Sequence, residues 1–144
     1  MKQGIWIVRE QDRIARDVYM MRLAGDASDI TRPGQFINIK LDGMYLRRPI
    51  SVCDWDKDGV TIIYKVVGKG TELMSRMQRG EELDVLSGLG NGFDVSASGA
   101  APVVVGGGVG VPPMYGLAKA LAKEGKYVSA VLGFNSSEDA FFID

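Results

Sequence analysis

The chain changes its grammar once, at residues 94–102, "DVSASGAAP", and that change constrains its folding more than any single motif. Before it, short β-prone runs alternate with turns. "GIWIVRE" and "DVYMMRL" lead to a turn at "TRPGQ", and "FINIKL" then sets Ile37, Ile39 and Leu41 on one face. "RPISVC" follows, "DWDKDG" makes a polar turn, and in "VTIIYKVV" Val60, Ile62, Tyr64 and Val66 alternate with Thr61, Ile63, Lys65 and Val67. Period-two patterning broken every few residues by turn formers marks an antiparallel all-β barrel or sandwich. One stretch, "GTELMSRMQRG", shifts to helical spacing. Leu73, Met74 and Met77 form its apolar stripe, Thr71 is placed to N-cap it, Glu72 suits its positive start, and Gly80 ends it. "EELDVL" returns to strand, so residues 1–95 read as one β domain.

Beyond the boundary, "VVV" (103–105) is a buried-strand run, "GGGVG" a glycine turn, and "PPMYGLAKALAKEG" a helix. Met114, Leu117, Ala118, Leu121 and Ala122 share a face of that helix, and Gly125 terminates it. "YVSAVLGF" is a second strand. Strand, helix and strand make a right-handed βαβ unit with parallel strands. Residues 99–144 therefore read as the start of an α/β nucleotide-binding domain, incomplete because one such unit cannot cover both faces of a parallel sheet. The expectation is a fragment, or a unit completed by another chain. Uncovered faces on Val103–Val105, Val128–Leu132 and the stripe from Met114 to Ala122 predict a homo-oligomer.

Composition narrows the chemistry. The chain has 144 residues and no histidine, which removes the usual zinc sites, serine–histidine triads and imidazole acid–base catalysis. Its one cysteine, Cys53, excludes an internal disulfide and reads as a small buried hydrophobe. A net charge of −1 predicts no nucleic-acid or anionic-membrane partner. No apolar run is long enough to span a membrane, and "MKQGIWIVREQ" is too polar for a signal peptide, so a cytoplasmic location is expected.

Four short motifs carry candidate chemistry. "RRPIS" sets two adjacent guanidinium groups ahead of a hydroxyl. "VVVGGGVGVPP" could bring backbone N–H groups to a pyrophosphate, although Val111 or Pro113 stands where a third glycine is required and no acidic residue ends the strand 128–132. A tight strand-to-helix turn explains it equally well. "YKVVGKGT" ends a strand at Gly68 and enters a helix at Thr71, which suits an anion beside Lys65 or simply a capped helix. "SGLGNGFD" is a strained interdomain loop with Phe93 packing under it, either at a ligand cleft or at a plain hinge.

In this order, "RRPIS", "YKVVGKGT", "LGNGF" and "GGGVGVPP" resemble the ferredoxin-reductase-like flavoproteins, and most closely the electron-transfer subunits of two-subunit NAD-dependent dihydroorotate dehydrogenases. The resemblance covers essentially the whole chain. It implies an FAD-binding β barrel in which Arg48 holds the pyrophosphate and Ser51 sits near flavin N5. Ile50 stands where many members of the wider superfamily have a tyrosine on the flavin. Ile63, Tyr64 and Lys65 line the cofactor, and Gly70 and Thr71 give phosphate contacts. Pro49, Gly107 and Gly108 complete the implied cofactor-binding positions. Arg47, on the other strand face, is expected to meet solvent or a partner. A planar, permanently charged fork at Arg48 matches phosphate oxygens.

The resemblance further implies NAD as the second cofactor and a catalytic, FMN-containing dihydroorotate dehydrogenase subunit as partner, in pyrimidine biosynthesis. Electrons from dihydroorotate would pass through FMN and a [2Fe–2S] cluster to FAD, then to NAD. Two departures stand out. Ser87-Gly88 replaces the family's glycine-proline, and the family's four cluster cysteines have no counterpart here, so this chain is expected to bind no cluster and to be inactive alone. Rival expectations are a subunit of a ferredoxin–NADP reductase, hydrogenase or sulfide dehydrogenase flavoprotein, and a cofactor-free interaction module.

Overall fold

A computed structural model describes residues 1–143. Six antiparallel strands close into a barrel: β1 (Lys2–Ala15), β2 (Val18–Ala24), β3 (Phe36–Lys40), β4 (Arg48–Asp56), β5 (Gly59–Lys65) and β6 (Glu82–Leu89), in the order β1-β2-β5-β4-β3-β6. Closure leaves no sheet edge to protect. The alternating residues meet inside as expected: Ile37, Ile39, Val60 and Ile62 are fully buried, and Leu41 and Tyr64 nearly so. β1 is longer than its apolar run suggests. A bulge between Val8 and Glu10 lets it bend around the barrel and pair with both β6 and β2.

A short helix, α1 (Lys69–Ser75), joins β5 to β6 and buries Met74 completely. It differs from expectation at both ends. Gly68 is the N-cap and Thr71 lies in the first turn, because the Thr71 hydroxyl reaches back to accept from the Val67 (2.9 Å) and Gly68 (3.3 Å) N–H groups. The helix stops at Ser75. Gly80, at φ +95°, instead turns the chain into β6, where its N–H meets the Val8 carbonyl at 2.8 Å.

The second part holds β7 (Val103–Gly107), α2 (Val111–Lys123) and β8 (Ser129–Gly133), with β7 and β8 parallel and in register from Val103↔Ser129 to Gly107↔Gly133. α2 buries Val111, Pro112, Gly116 and Leu121, whereas Ala122 is exposed. The expected stripe is rotated because α2 packs on β4 of the barrel as well as on β7. Gly116 permits that approach: a Cβ there would lie 2.8 Å from the Cys53 carbonyl. The same contact explains why β5 is apolar on both faces. Ile63 points out of the barrel into a second cluster with Val18, Cys53, Val111 and Phe141. Burial there pushes the Cys53 thiol up to about 12. Val103, Val105 and Val131 remain more than half exposed. Among the described residues, no helix is long and apolar enough to cross a membrane.

Candidate functional site

The site begins where two strands part. β4 and β5 pair from Asp56↔Gly59 to Val52↔Ile62, and no further. From there β4 continues against β3, reaching Arg48↔Ile39, while β5 stays with β2 as far as Lys65↔Val18. The splay opens a groove of about 290 Å³ lined by Pro49, Ile50, Ser51, Ile63, Tyr64, Lys65, Val67, Thr71 and Val109. Seven of the residues singled out from the sequence therefore share one wall or floor; Val67 and Val109 carried no signal of their own. Tyr64 borders the groove, but its hydroxyl is committed inside the barrel, donating to Gln11 Oε1, and burial raises its pKa.

Arg48 and Gly70 are not among the lining residues; each immediately precedes one that is, Pro49 and Thr71, and the two approach each other closely. A Cβ on Gly70 would lie 2.3 Å from Arg48 Nε, so the bare glycine is what lets the guanidinium lie against the first turn of α1. Arg48 donates to the Leu46 carbonyl (2.6 Å) and to Met44 Sδ (3.7 Å), and it makes no salt bridge among the described residues. A cation held in place without a counter-charge is suited to an anionic ligand. Arg47 corrects the expectation that it faces solvent or a partner. It pairs with Asp84 Oδ1 at 3.0 Å and donates to the Asn38 (3.3 Å) and Asp84 (3.2 Å) carbonyls. Alternation sends it outward over the β3–β6 seam, and there it meets a carboxylate instead of water.

Gly107 and Gly108 do not line this groove. They face an adjoining hollow of about 270 Å³, bounded also by Val18, Gly133, Phe134, Asp139 and Phe141, which shares only Lys65 and Val109 with the first. Gly108 takes φ +52°, and Gly106 allows α2 to approach β7, since a Cβ there would be 2.9 Å from Val111 Cα. The far wall is clamped to the β1–β2 turn. Arg16 holds both Asp139 carboxylate oxygens at 3.1 Å, and its hydrogen bond, with Ser136 assisting, keeps that carboxyl below its ordinary range. The Ser136–Asp139 turn had only its own short polar run to mark it.

In "SGLGNGFD", Gly88, Gly90 and Gly92 all have positive φ. Gly88 at φ +67° could not be proline, whose φ is fixed near −65°. The Ser87 hydroxyl donates to Asp29 at 2.8 Å, so this loop is held differently from a glycine-proline turn. Phe93 lies against Gly34 of the "TRPGQ" turn and is 40% exposed, not packed beneath its own loop. No group of three or more potential metal ligands occurs among the described residues. The single, buried Cys53 does not fit a [2Fe–2S] cluster, which needs four ligands.

No protein-family model matches the chain. Curated sequences do. The chain is 43% identical over 145 aligned positions to a Fusobacterium nucleatum protein named dihydroorotate dehydrogenase B (NAD(+)), electron transfer subunit, covering 95% of this chain and 56% of that one. It is 45% identical to the protein of the same name from Bacillus pumilus, covering 99% and 58%. By sequence, this chain is a relative of the dihydroorotate dehydrogenase B electron-transfer subunits. It spans a little over half the length of the members it matches. Among solved structures, the NADH-dependent reduced ferredoxin–NADP oxidoreductase, studied for flavin-based electron bifurcation, superposes with a TM-score of 0.86 at 32% identity, covering 96% of this chain and 51% of that one. Phthalate dioxygenase reductase, at 20% identity and a TM-score of 0.82, shares the fold. The barrel with its appended α/β unit thus has the ferredoxin-reductase-like fold of these solved structures.

Proposed function

We propose that the chain binds FAD in the β4–β5 groove and serves as the flavin-carrying part of an electron-transfer subunit. That subunit would pass electrons from dihydroorotate oxidation, by way of a catalytic FMN-containing partner, to NAD. The observation that carries this reading is the close approach of Arg48, which has no salt-bridge partner among the described residues, to the bare Gly70, the two standing one residue ahead of Pro49 and Thr71 in a groove walled by Pro49–Ser51 and Ile63–Lys65. FAD, when bound, supplies the exchange of hydride with a nicotinamide and of single electrons with a partner.

The chain's own residues bind and orient. Arg48 offers a planar fork to the pyrophosphate, and Gly70 and Thr71 let it come close to the backbone of α1. Pro49 and Ile50 give the flavin ring an apolar wall, and Ser51 presents a small hydroxyl toward its reactive edge. Ile63 and Tyr64 close the floor and keep water out, since both are nearly fully buried. Gly107 and Gly108 open the adjoining hollow to a nicotinamide nucleotide. Lys65, common to both spaces, would face both ligands.

The test is direct. The purified chain, incubated with flavin extract, washed and denatured, should release FAD, identified by chromatography. Release of FMN alone would overturn the assignment. A second reading, a subunit of a ferredoxin–NADP-type reductase, is favoured by the 32% identity to the oxidoreductase above. Co-purification of the native protein with a dihydroorotate-oxidising subunit, rather than a ferredoxin-using one, separates the two.

A further inference from the structure

A glutamine points into the mouth of a largely apolar barrel. Trp6 and Val8 of β1 face inward, and strict alternation would turn Gln11 outward. The bulge between Val8 and Glu10 resets the parity, so Gln11 pairs with Met21, which is fully buried, and shares its inward face. There the amide makes three hydrogen bonds and uses both of its donors. Nε2 donates to the Met74 carbonyl at 2.8 Å and to the Met77 carbonyl at 3.0 Å, and Oε1 accepts from the buried Tyr64 hydroxyl. The orientation is unambiguous, because only the NH2 group can serve two carbonyls.

Among the described residues, no other side-chain hydrogen bond ties α1 to a strand. The remaining ones at α1 run between Thr71 and Val67–Gly68, or between Glu72 and Ser75 or Arg76. α1 has seven residues, so a hold on the Met74 carbonyl near its end, and on that of Met77 two residues beyond it, fixes its first turn as well. That first turn carries Gly70 and Thr71. Tyr64, at the other end of the link, precedes Lys65 on the strand that floors the groove.

We infer that Gln11 is a positioning residue: it locks α1 to β5 so that Gly70 and Thr71 stand in register with Arg48 at the phosphate end of the groove. The inference rests on the FAD reading above, and its consequence is selective. Losing the lock should weaken ligands that reach α1 with a pyrophosphate, while sparing those that occupy only the flavin end.

Fluorescence titrations of the full chain with FAD and with riboflavin measure the two separately. Gln11→Met, which keeps length but removes every polar contact, should raise the FAD dissociation constant about tenfold and change that of riboflavin by no more than about twofold. Gln11→Glu keeps an acceptor for Tyr64 but loses both donors, and should give the same split; it serves if the methionine variant does not fold. Tyr64→Phe, which leaves the bonds to α1 intact, should have a smaller effect on FAD. A parallel loss of both ligands, or unchanged FAD binding, would overturn the positioning role while leaving the FAD site standing. Wild-type protein that binds riboflavin and FAD with equal affinity would instead remove the pyrophosphate site, and this role with it.

Discussion

Adjacent arginines with different partners should fail in different ways. Arg48→Ala removes a guanidinium that spends its hydrogen bonds on the Leu46 carbonyl and Met44 Sδ, neither of them charged. Little folded-state energy goes with it, and the melting temperature should hardly change. The loss falls on the ligand. A charge-assisted hydrogen bond contributes about 1.5–3 kcal/mol, which is a roughly 10- to 150-fold rise in the FAD dissociation constant. The lower part of that range is expected, since Arg48 is only half-buried and solvent screens it.

Arg47→Ala does the reverse. It strands Asp84, 24% exposed, together with two carbonyls that lose their donor. Breaking a fully buried pair costs about 3–5 kcal/mol, so about 1–3 kcal/mol suits this partly exposed one. In a chain of this size that lowers the melting temperature by roughly 3–10 °C. Below its transition, Arg47→Ala should keep FAD affinity within about threefold of wild type. Thermal melts and flavin-fluorescence titrations on both variants provide the cross-comparison. Equal FAD loss in two folded variants, or a large melting shift for Arg48→Ala alone, would refute the assignment of the two strand faces.

Three further outcomes follow from the same geometry. Gly70→Ala should leave stability unchanged or raise it by up to about 1 kcal/mol through helix propensity, yet weaken FAD chiefly by displacing Arg48; in an Arg48→Ala background the affinity penalty should shrink, as a double-mutant cycle would show. Gly116→Ala should destabilise by about 1–3 kcal/mol in denaturant melts, because its Cβ meets the Cys53 backbone carbonyl, which cannot move aside as a side chain can. The Cys53 thiol, raised from its ordinary 9.0 to about 12 chiefly by burial, should resist thiol reagents until the protein unfolds. Since the folded state holds this proton more tightly, its contribution to stability is full below pH 9 and declines between about 9 and 12; a Cys53→Ala variant should lack that part of the alkaline slope.

The parts of this molecule that were legible in the sequence are those where one neighbour decides a residue's environment. Ile37, Ile39, Val60 and Ile62 alternate because only the barrel interior acts on them, and all four are buried. Alternation also separates Arg48 from Arg47, but what each face meets is a matter of three-dimensional company. Asp84 waits on β6, 37 residues away in the chain from Arg47. Ile63 shares its strand face with Thr61 and Lys65 and is buried because α2 docks there; that docking also rotates α2 and leaves Ala122 in water. Gln11 is the sharpest case. Its period-two position assigns it to solvent, and one inserted residue at the β1 bulge moves it inside, where its amide can bond the carbonyls of Met74 in α1 and of Met77 just past its end. A bulge changes no composition and breaks no motif, so pattern counting cannot register it. It does change the sign of the positions that follow, as far as the next register shift between Arg13 and Ala15. The residues proposed to bind FAD could be read because they sit in short contiguous motifs on β4, β5 and α1. The residue that aligns those motifs lies more than 35 positions earlier on a strand with no motif at all, and only the register of β1 against β2 reveals it.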